Sequence, residues 1–305
     1  MKKTIITVII IVASIGVYHS LPKNEVNENV TLNSALFEQA ANHGKLKLDE
    51  IDEASGLVAS RNNPNAFWTH NDSGDKNRIF LISQSGDNLG TYTLEGAIAR
   101  DWEDISIGPG PKANTSYLYV GDIGDNRAQY KEKVIYRFIE PNVSQQASDN
   151  QINIAKEHID TITFEFPDGK RDAETLMVDP ITKDIFVISK REKQVGVYVA
   201  RYPQSTTQIN ILTKVATLDI HKIVAGDISV AGNEVLLKDY RNIYYWKKQA
   251  NESIEELLTT APQRLPYKAE PQGEAIAWKQ DSSGFYTLSE ASSSGAAKMY
   301  FYKRK

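Results

Sequence analysis

Acidic residues recur in a short segment that is repeated five times along the sequence. Each segment ends in Leu or Ile, and a carboxylate, serine or glycine lies one or two positions before that residue. The segments are EASGL (53–57), DWEDI (101–105), DAETL (172–176), VAGDI (224–228) and QGEAI (272–276). Ca²⁺ takes roughly six to eight oxygen ligands at relaxed geometry, and carboxylates and hydroxyls supply them. The third positions, with the acid that follows the glycine of the fourth segment, predict a Ca²⁺ site formed by Ser55, Glu103, Glu174, Asp227 and Glu274.

Further polar residues lie beside these segments and in nearby loops. A carboxylate next to a metal can position a water molecule, which makes Asp72, Asp101 and Asp172 candidate catalytic residues. Cationic and amide side chains can hold an anionic substrate. The candidates for this role are Asn71, Asp125, Asn126, Arg127, Lys190, Arg191 and Arg241, although the cations could equally serve only to balance the acids.

The spacing of the segments predicts the elements that must position these residues. Successive terminal aliphatic residues are 48, 71, 52 and 48 residues apart, and short β-branched and aromatic runs follow each segment. Units of about 50 residues with four strands each are typical of a β-propeller. The sequence therefore predicts an all-β propeller of five blades, each with four antiparallel strands. A sixth blade in the longest interval stays open, and that interval contains a polar insertion (144–158) that could lie on the rim.

Closure of the ring needs a strand from elsewhere, because the chain ends after the third strand of the last unit. Residues 45–51, just before the first segment, are expected to supply it and so leave no open sheet edge. In this architecture the start of each inner strand and the loop between the second and third strands open on one face. The candidate residues are therefore expected to meet at one mouth of the central channel.

Composition excludes several classes of function. The 305 residues contain no cysteine, which rules out disulfides, thiolate metal sites and a cysteine nucleophile. The net charge of −4 and the lack of a basic block argue against a nucleic-acid partner. The sequence also lacks the nucleophile-elbow, P-loop and EF-hand motifs.

The N-terminus has the features of an export signal. Lys2 and Lys3 precede an apolar run (5–17) that is shorter than the roughly 20 residues needed to span a bilayer. Residues 1–20 are thus expected to be a signal peptide or a retained membrane anchor, 21–44 a polar tether, and 45–305 the propeller. The protein is expected to be exported across the cytoplasmic membrane, and to contact a membrane only through this N-terminal segment.

The motifs also carry a resemblance. EASGL, HNDSG (70–74), DWEDI, LYVGDIGDN (118–126), DAE (172–174), GDIS (226–229) and GEAI (273–276) occur in this order. The succession resembles a family of secreted bacterial propellers of undefined activity, and is more distantly similar to the calcium-activated nucleotidases, or soluble apyrases. The latter are five-bladed, and Ser and Glu residues at the channel mouth hold a Ca²⁺ that orients the phosphates of a nucleoside diphosphate.

Carried over position by position, this resemblance implies metal ligands at Ser55, Glu103, Glu174 and Glu274. Asp72 matches an acidic residue of the first loop, whereas Gly226 departs from the pattern where a hydroxyl ligand is expected. Two functions stay open. One is a Ca²⁺-dependent hydrolase of phosphate or related esters. The other is a non-catalytic module whose mouth binds a sugar, a peptide or a partner protein, with Ca²⁺ in a structural role. The partner itself is expected to be a small anionic ligand or an extracellular molecule.

Overall fold

Five sheets are arranged as the blades of a β-propeller in the computed structural model, which describes residues 33–143, 151–292 and 295–305. The inner strands of successive blades contact one another, and the inner strand of the fifth blade contacts that of the first. The predicted fold class and the count of five blades are confirmed.

The strands are numbered along the chain. After β1 (Ala41–Lys45), the first blade contains β2 (Ala54–Ala59), β3 (Ala66–Asn71), β4 (Arg78–Ser83) and β5 (Asn88–Leu94). The second contains β6 (Trp102–Pro109), β7 (Ser116–Asp122) and β8 (Glu132–Ile139), and after β9 (Gln151–Ile154) and a 3₁₀ turn (Lys156–His158) it is continued by β10 (Asp160–Glu165). The third contains β11 (Ala173–Val178), β12 (Ile185–Ser189) and β13 (Val195–Ala200), and after β14 (Asn210–Ile211) it is completed by β15 (Thr213–Leu218).

The last two blades have the same order. The fourth contains β16 (Ile223–Ile228), β17 (Glu234–Asp239) and β18 (Ile243–Lys247), and after the short helix α1 (Ile254–Leu258) it ends with β19 (Gln263–Leu265). The fifth contains β20 (Ala275–Trp278), β21 (Gly284–Leu288) and β22 (Lys298–Lys303), and β1 is its outer strand. Strands β2, β6, β11, β16 and β20 are the inner strands.

Apolar side chains form the layers between blades. Trp68 and Tyr92 of the first blade, for example, belong to the same buried cluster as Trp102 and Leu118 of the second. The aromatic residues that alternate along the predicted strands are buried, as expected for a propeller core: Trp68, Tyr119, Phe186 and Trp246.

The ring is closed by an N-terminal strand, but not by the predicted one. Strand β1 pairs antiparallel with β22 over residues 41–45, whereas the prediction was 45–51. The reason is that β1 is a polar outer strand, whereas the apolar residues Leu46 and Ile51, which suggested a strand, are buried in the connection to the first blade. Phe37 is also buried, against Tyr245, Trp278 and Phe285, so residues assigned to the tether contribute to the core.

Two short edge strands extend the first two blades. In the polar insertion of the 71-residue interval, β9 pairs parallel with β5 of the first blade. The other, β14, comes from the next interval along the chain and pairs parallel with β10 of the second blade. Residues 144–150 of the insertion lie outside the described residues, as do the predicted signal or anchor and most of the tether. In the described ranges, no helix has the length and apolar character needed to cross a membrane.

Candidate metal site at the channel mouth

β-Bulges direct two of the predicted ligands toward the mouth. The pairing of β6 with β7 shifts between Trp102 and Asp104, and that of β11 with β12 shifts between Ala173 and Thr175. Glu103 and Glu174 are the extra residues at these two shifts. Because a bulge changes the direction of a side chain relative to the regular strand alternation, it is the local feature that positions both carboxylates.

Seven carboxylates form what we call the mouth cluster. They fall into three overlapping groups, in each of which carboxylate oxygens lie within 4.8 Å of one another. The groups are Asp72, Asp101 and Glu103; Asp72, Glu274 and Glu290; and Glu103, Asp172 and Glu174. Three catalytic candidates and three metal candidates from the sequence are thus brought together. The seventh carboxylate, Glu290, was not a predicted site residue. It lies in the β21–β22 loop, one of the loops between second and third strands that were expected at the mouth.

Glu103 is the least compensated member of the mouth cluster. The residue is 3% exposed, and among the described residues no group donates a hydrogen bond to its carboxylate. Burial raises its pKa well above the usual value, the neighbouring Glu174, Asp72 and Asp101 raise it further, and the charge of Lys190 offsets only part of this rise. A carboxylate that is buried without a donor or a counter-ion is costly, so this position calls for a cation or a proton.

The backbone of the β7–β8 loop lies directly against this carboxylate. A Cβ atom on Gly124 would come 2.1 Å from Glu103 Oε1 and 2.5 Å from Asp101 Oδ2. Only glycine lets the loop approach so closely, and this approach helps to enclose the two carboxylates.

Two partly exposed members of the cluster also have raised pKa values. Burial raises the pKa of Asp72 to about 6, and Glu274 and Asp101 act in the same direction. Burial and the neighbouring Glu274 raise the pKa of Glu290 to about 8. The mouth therefore concentrates negative charge that the protein itself compensates only in part.

The third-blade carboxylates do have counter-ions. Lys190 Nζ lies 2.5 Å from Glu174 Oε1, and Arg191 Nε lies 2.6 Å from Asp172 Oδ2. The pKa of Lys190 is raised by Glu174 and other acids despite its burial, so its ammonium group is charged at neutral pH. Two predicted substrate-binding cations thus lie at the mouth, each engaged with a carboxylate.

Asp125, in the β7–β8 loop, and Asn71, at the end of β3, have structural contacts. Asp125 forms an ion pair with the buried Lys133 at 2.9 Å and accepts hydrogen bonds from the backbone N–H groups of Gln129 and Tyr130. The side-chain amide of Asn71 donates to the carbonyl of Glu50 at 2.7 Å, but its Oδ1 has no partner among the described residues.

Three other substrate-binding candidates are exposed. They are Asn126, Arg127 and Arg241. No ion pair involves these two arginines within the described ranges. Their side chains therefore lie exposed on the loops around the mouth.

Asp227 is separate from the mouth cluster. Its Oδ2 accepts a hydrogen bond from the backbone N–H of Trp278 in the next blade at 2.7 Å. Asp104 makes the equivalent contact with the N–H of Leu176 at 2.9 Å. Both aspartates directly precede an isoleucine in their segments. This shared Asp-Ile pair is the sequence feature that distinguishes an inter-blade contact from a metal ligand.

Ser55 and His70 lie at the edge of the site. Ser55 Oγ donates to the backbone carbonyl of Glu103 at 2.6 Å, which ties the first blade to the second. His70 is fully buried, its Nδ1 lies 2.8 Å from the carbonyl of Asn71, and burial lowers its pKa to about 4. A neutral, enclosed imidazole agrees with a structural role.

Fold and site together define a five-bladed β-propeller with an acidic channel mouth. No protein-family model matches the chain, and no curated protein matches its sequence. Among solved structures it is similar to a chain in the crystal structure of a nidogen/laminin complex, with 10% identity, a TM-score of 0.44 and coverage of 83% of this chain and 84% of that chain. This likeness carries no argument about function. None of the comparisons shows a resemblance to the calcium-activated nucleotidases, which stays a prediction.

Proposed function

We propose that the channel mouth binds Ca²⁺. The observation that carries the proposal is Glu103, a carboxylate that is almost completely buried, has no hydrogen-bond donor among the described residues and lies among other acids. A hard cation with oxygen ligands would compensate this charge. Ca²⁺ is favoured over Mg²⁺ because irregular carboxylate groups suit its relaxed geometry better than an octahedron. We leave Asp227 out of the ligand set, since its carboxylate already accepts a backbone hydrogen bond.

We further propose that the Ca²⁺-loaded mouth hydrolyses a phosphate or related ester outside the cytoplasm. Bound Ca²⁺ would supply positive charge to the oxygens of such an anion. Asp72 is partly exposed, and as a metal ligand it would also position a water molecule beside the ion. Arg191, whose side chain is 50% exposed, would contact such an anion at the rim. The alternative is a binding module that uses the same Ca²⁺ without catalysis.

Calcium binding is tested by calorimetric titration with CaCl₂ and by thermal melts in chelator and in excess CaCl₂. Because the ion binds the folded cluster and not the unfolded chain, it should add roughly 2.7 kcal/mol of stability at a hundred times its dissociation constant. Asp281→Asn, which changes an exposed carboxylate in the β20–β21 turn at the far end of the channel, is the matched control and should bind normally. Superimposed melts without a binding signal would refute the proposal.

Hydrolysis is tested separately, with nucleoside diphosphates and a generic aryl phosphate as substrates. Release of phosphate that requires CaCl₂, and that is lost in Asp72→Asn even at a CaCl₂ concentration that saturates the variant, would support the hydrolase. Calcium binding with no release from any of these substrates would favour the non-catalytic module instead.

A further inference from the structure

The two sides of the mouth cluster differ in how their charge is compensated. We call Asp172 and Glu174 the paired side, because each has a cation in contact: Arg191 and Lys190, respectively. We call the remaining members the open side: Asp72, Asp101, Glu103, Glu274 and Glu290. No lysine or arginine forms an ion pair with an open-side carboxylate in the part of the chain that the structure describes.

Lys190 is well fixed on the paired side. Its side chain is 11% exposed, and the ammonium nitrogen lies 2.5 Å from Glu174 and 5.5 Å from the centre of the Tyr240 ring. If Lys190 moved away, a 96% buried Glu174 carboxylate would lose its only ion-pair partner among the described residues. Breaking one partner out of a buried ion pair is strongly destabilising, so the pair resists dissociation.

A second cation bound to the Glu174 carboxylate would be repelled by Lys190. A divalent ion on Glu174 would lie within a few ångströms of the Lys190 ammonium, in surroundings where like charges are poorly screened. The obstacle is weaker on the open side, where Lys190 forms no ion pair and its charge acts on Glu103, Asp72 and Glu274 only at longer range. There Glu103, more than nine-tenths buried and without a hydrogen-bond donor among the described residues, forms a group with Asp72 and Asp101, in addition to its group with Asp172 and Glu174.

We infer that Lys190 is a built-in counter-ion that excludes the metal from Glu174 and places it off the channel axis, on the open side, with Asp72 as the central ligand. Asp72 is the residue shared by the two open-side groups, one with Asp101 and Glu103 and the other with Glu274 and Glu290. This assignment rests on the proposed function, and it departs from the symmetrical ring of ligands that the five segments predicted.

A charge-neutral double variant tests the role of the ion pair. Lys190→Gln with Glu174→Gln removes one positive and one negative charge together, and the two amides can still hydrogen-bond to each other. Calorimetric titration with CaCl₂ should give one ion and a dissociation constant within about threefold of the unmodified protein. A loss of about tenfold or more would identify Glu174 as a ligand and overturn the inference.

Asp72→Asn is the complementary variant. Its amide oxygen can keep the hydrogen bond that Asp72 Oδ1 accepts from the N–H of Ser73, so the loop should fold. Its affinity for Ca²⁺ should fall about tenfold or more, and an unchanged affinity would overturn the inference even if the double variant did not fold. Melts in chelator verify that each variant is folded. If the unmodified protein binds no Ca²⁺, the proposed function itself fails, whereas binding with the opposite pattern of losses refutes only the placement.

Discussion

Buried carboxylates in two regions of the channel have opposite surroundings. Asp227, between the fourth and fifth blades, accepts the backbone N–H of Trp278 at 2.7 Å, and Asp104 likewise accepts that of Leu176. Glu103, at the mouth, is just as inaccessible but has acids around it and no donor among the described residues. The comparison shows that burial alone does not identify a functional acid. The hydrogen-bond partners of the carboxylate distinguish the two cases. A carboxylate with a backbone donor makes a structural contact, whereas a buried carboxylate without a donor is a candidate to bind a ligand.

The largest effect on stability is expected for Asp227→Ala. The substitution leaves the buried N–H of Trp278 without its acceptor, which should lower the free energy of unfolding by about 2 kcal/mol. Calcium affinity should be unchanged, because the residue is outside the mouth cluster. Denaturant unfolding in chelator and titration with CaCl₂ measure the two effects. Asp227→Asn, which keeps an acceptor oxygen, is the matched control and should recover much of the stability. A loss of calcium affinity in both variants would instead return Asp227 to the ligand set.

Glu103→Gln should lower calcium affinity without lowering the stability of the metal-free protein. Burial and the neighbouring acids already disfavour the ionised form of Glu103, and an amide of the same size carries no charge, so the metal-free protein should not be destabilised. Calcium affinity should fall about tenfold, which is about 1.4 kcal/mol. The same unfolding and titration measurements apply. If Glu103→Gln unfolds more easily in chelator and still binds Ca²⁺ normally, the distinction between the two kinds of carboxylate is wrong.

The sequence was sufficient to predict the blades because each strand carries its own apolar and β-branched pattern. The closing strand was misplaced because Ala41–Lys45 is a polar edge strand whose position depends on hydrogen bonds to β22 rather than on burial. Edge strands β9 and β14 were not predicted, for a related reason. They extend blades whose other strands are distant in sequence, and four or two residues of pairing leave little periodicity to detect.

Part of the site was also predictable. The recurrence of acids at the start of each inner strand correctly brought Glu103, Glu174 and Glu274 to one mouth. The repeat could not show that the fourth-segment acid turns toward the next blade, because neighbouring positions on a strand face opposite sides and one residue changes the outcome. The pairing of Lys190 with Glu174 depends on the approach of a loop to an inner strand, which a linear pattern does not encode.

The smallest expected effect is a pH dependence of the metal-free protein, and it tests the mouth side of the comparison. Glu290 has a pKa of about 8 in the folded state, against an ordinary value of 4.5 in the unfolded chain. Between pH 6.5 and 8 the folded state therefore holds more of this proton, and stability should fall as the pH rises. Burial also raises the pKa values of Glu103 and Asp104, that of Glu174 to about 8 and that of Asp227 to about 7, and all four add to the decrease. His70, with a folded pKa of about 4, has the opposite influence only below pH 6.5, where the unfolded histidine becomes protonated.

Thermal melts in chelator across this interval should show a midpoint that decreases with pH, and saturating CaCl₂ should reduce the decrease because the ion favours the ionised carboxylates of the mouth but not Asp227 or Asp104. Glu290→Gln is the matched control, since it deletes one titrating group from the mouth and should make the decrease shallower. A metal-free midpoint that rises between pH 6.5 and 8 would mean that these carboxylates are already compensated in the folded state. In that case the mouth would not hold the uncompensated carboxylates that distinguish it from the Asp227 and Asp104 contacts, and the contrast between the two regions would not hold.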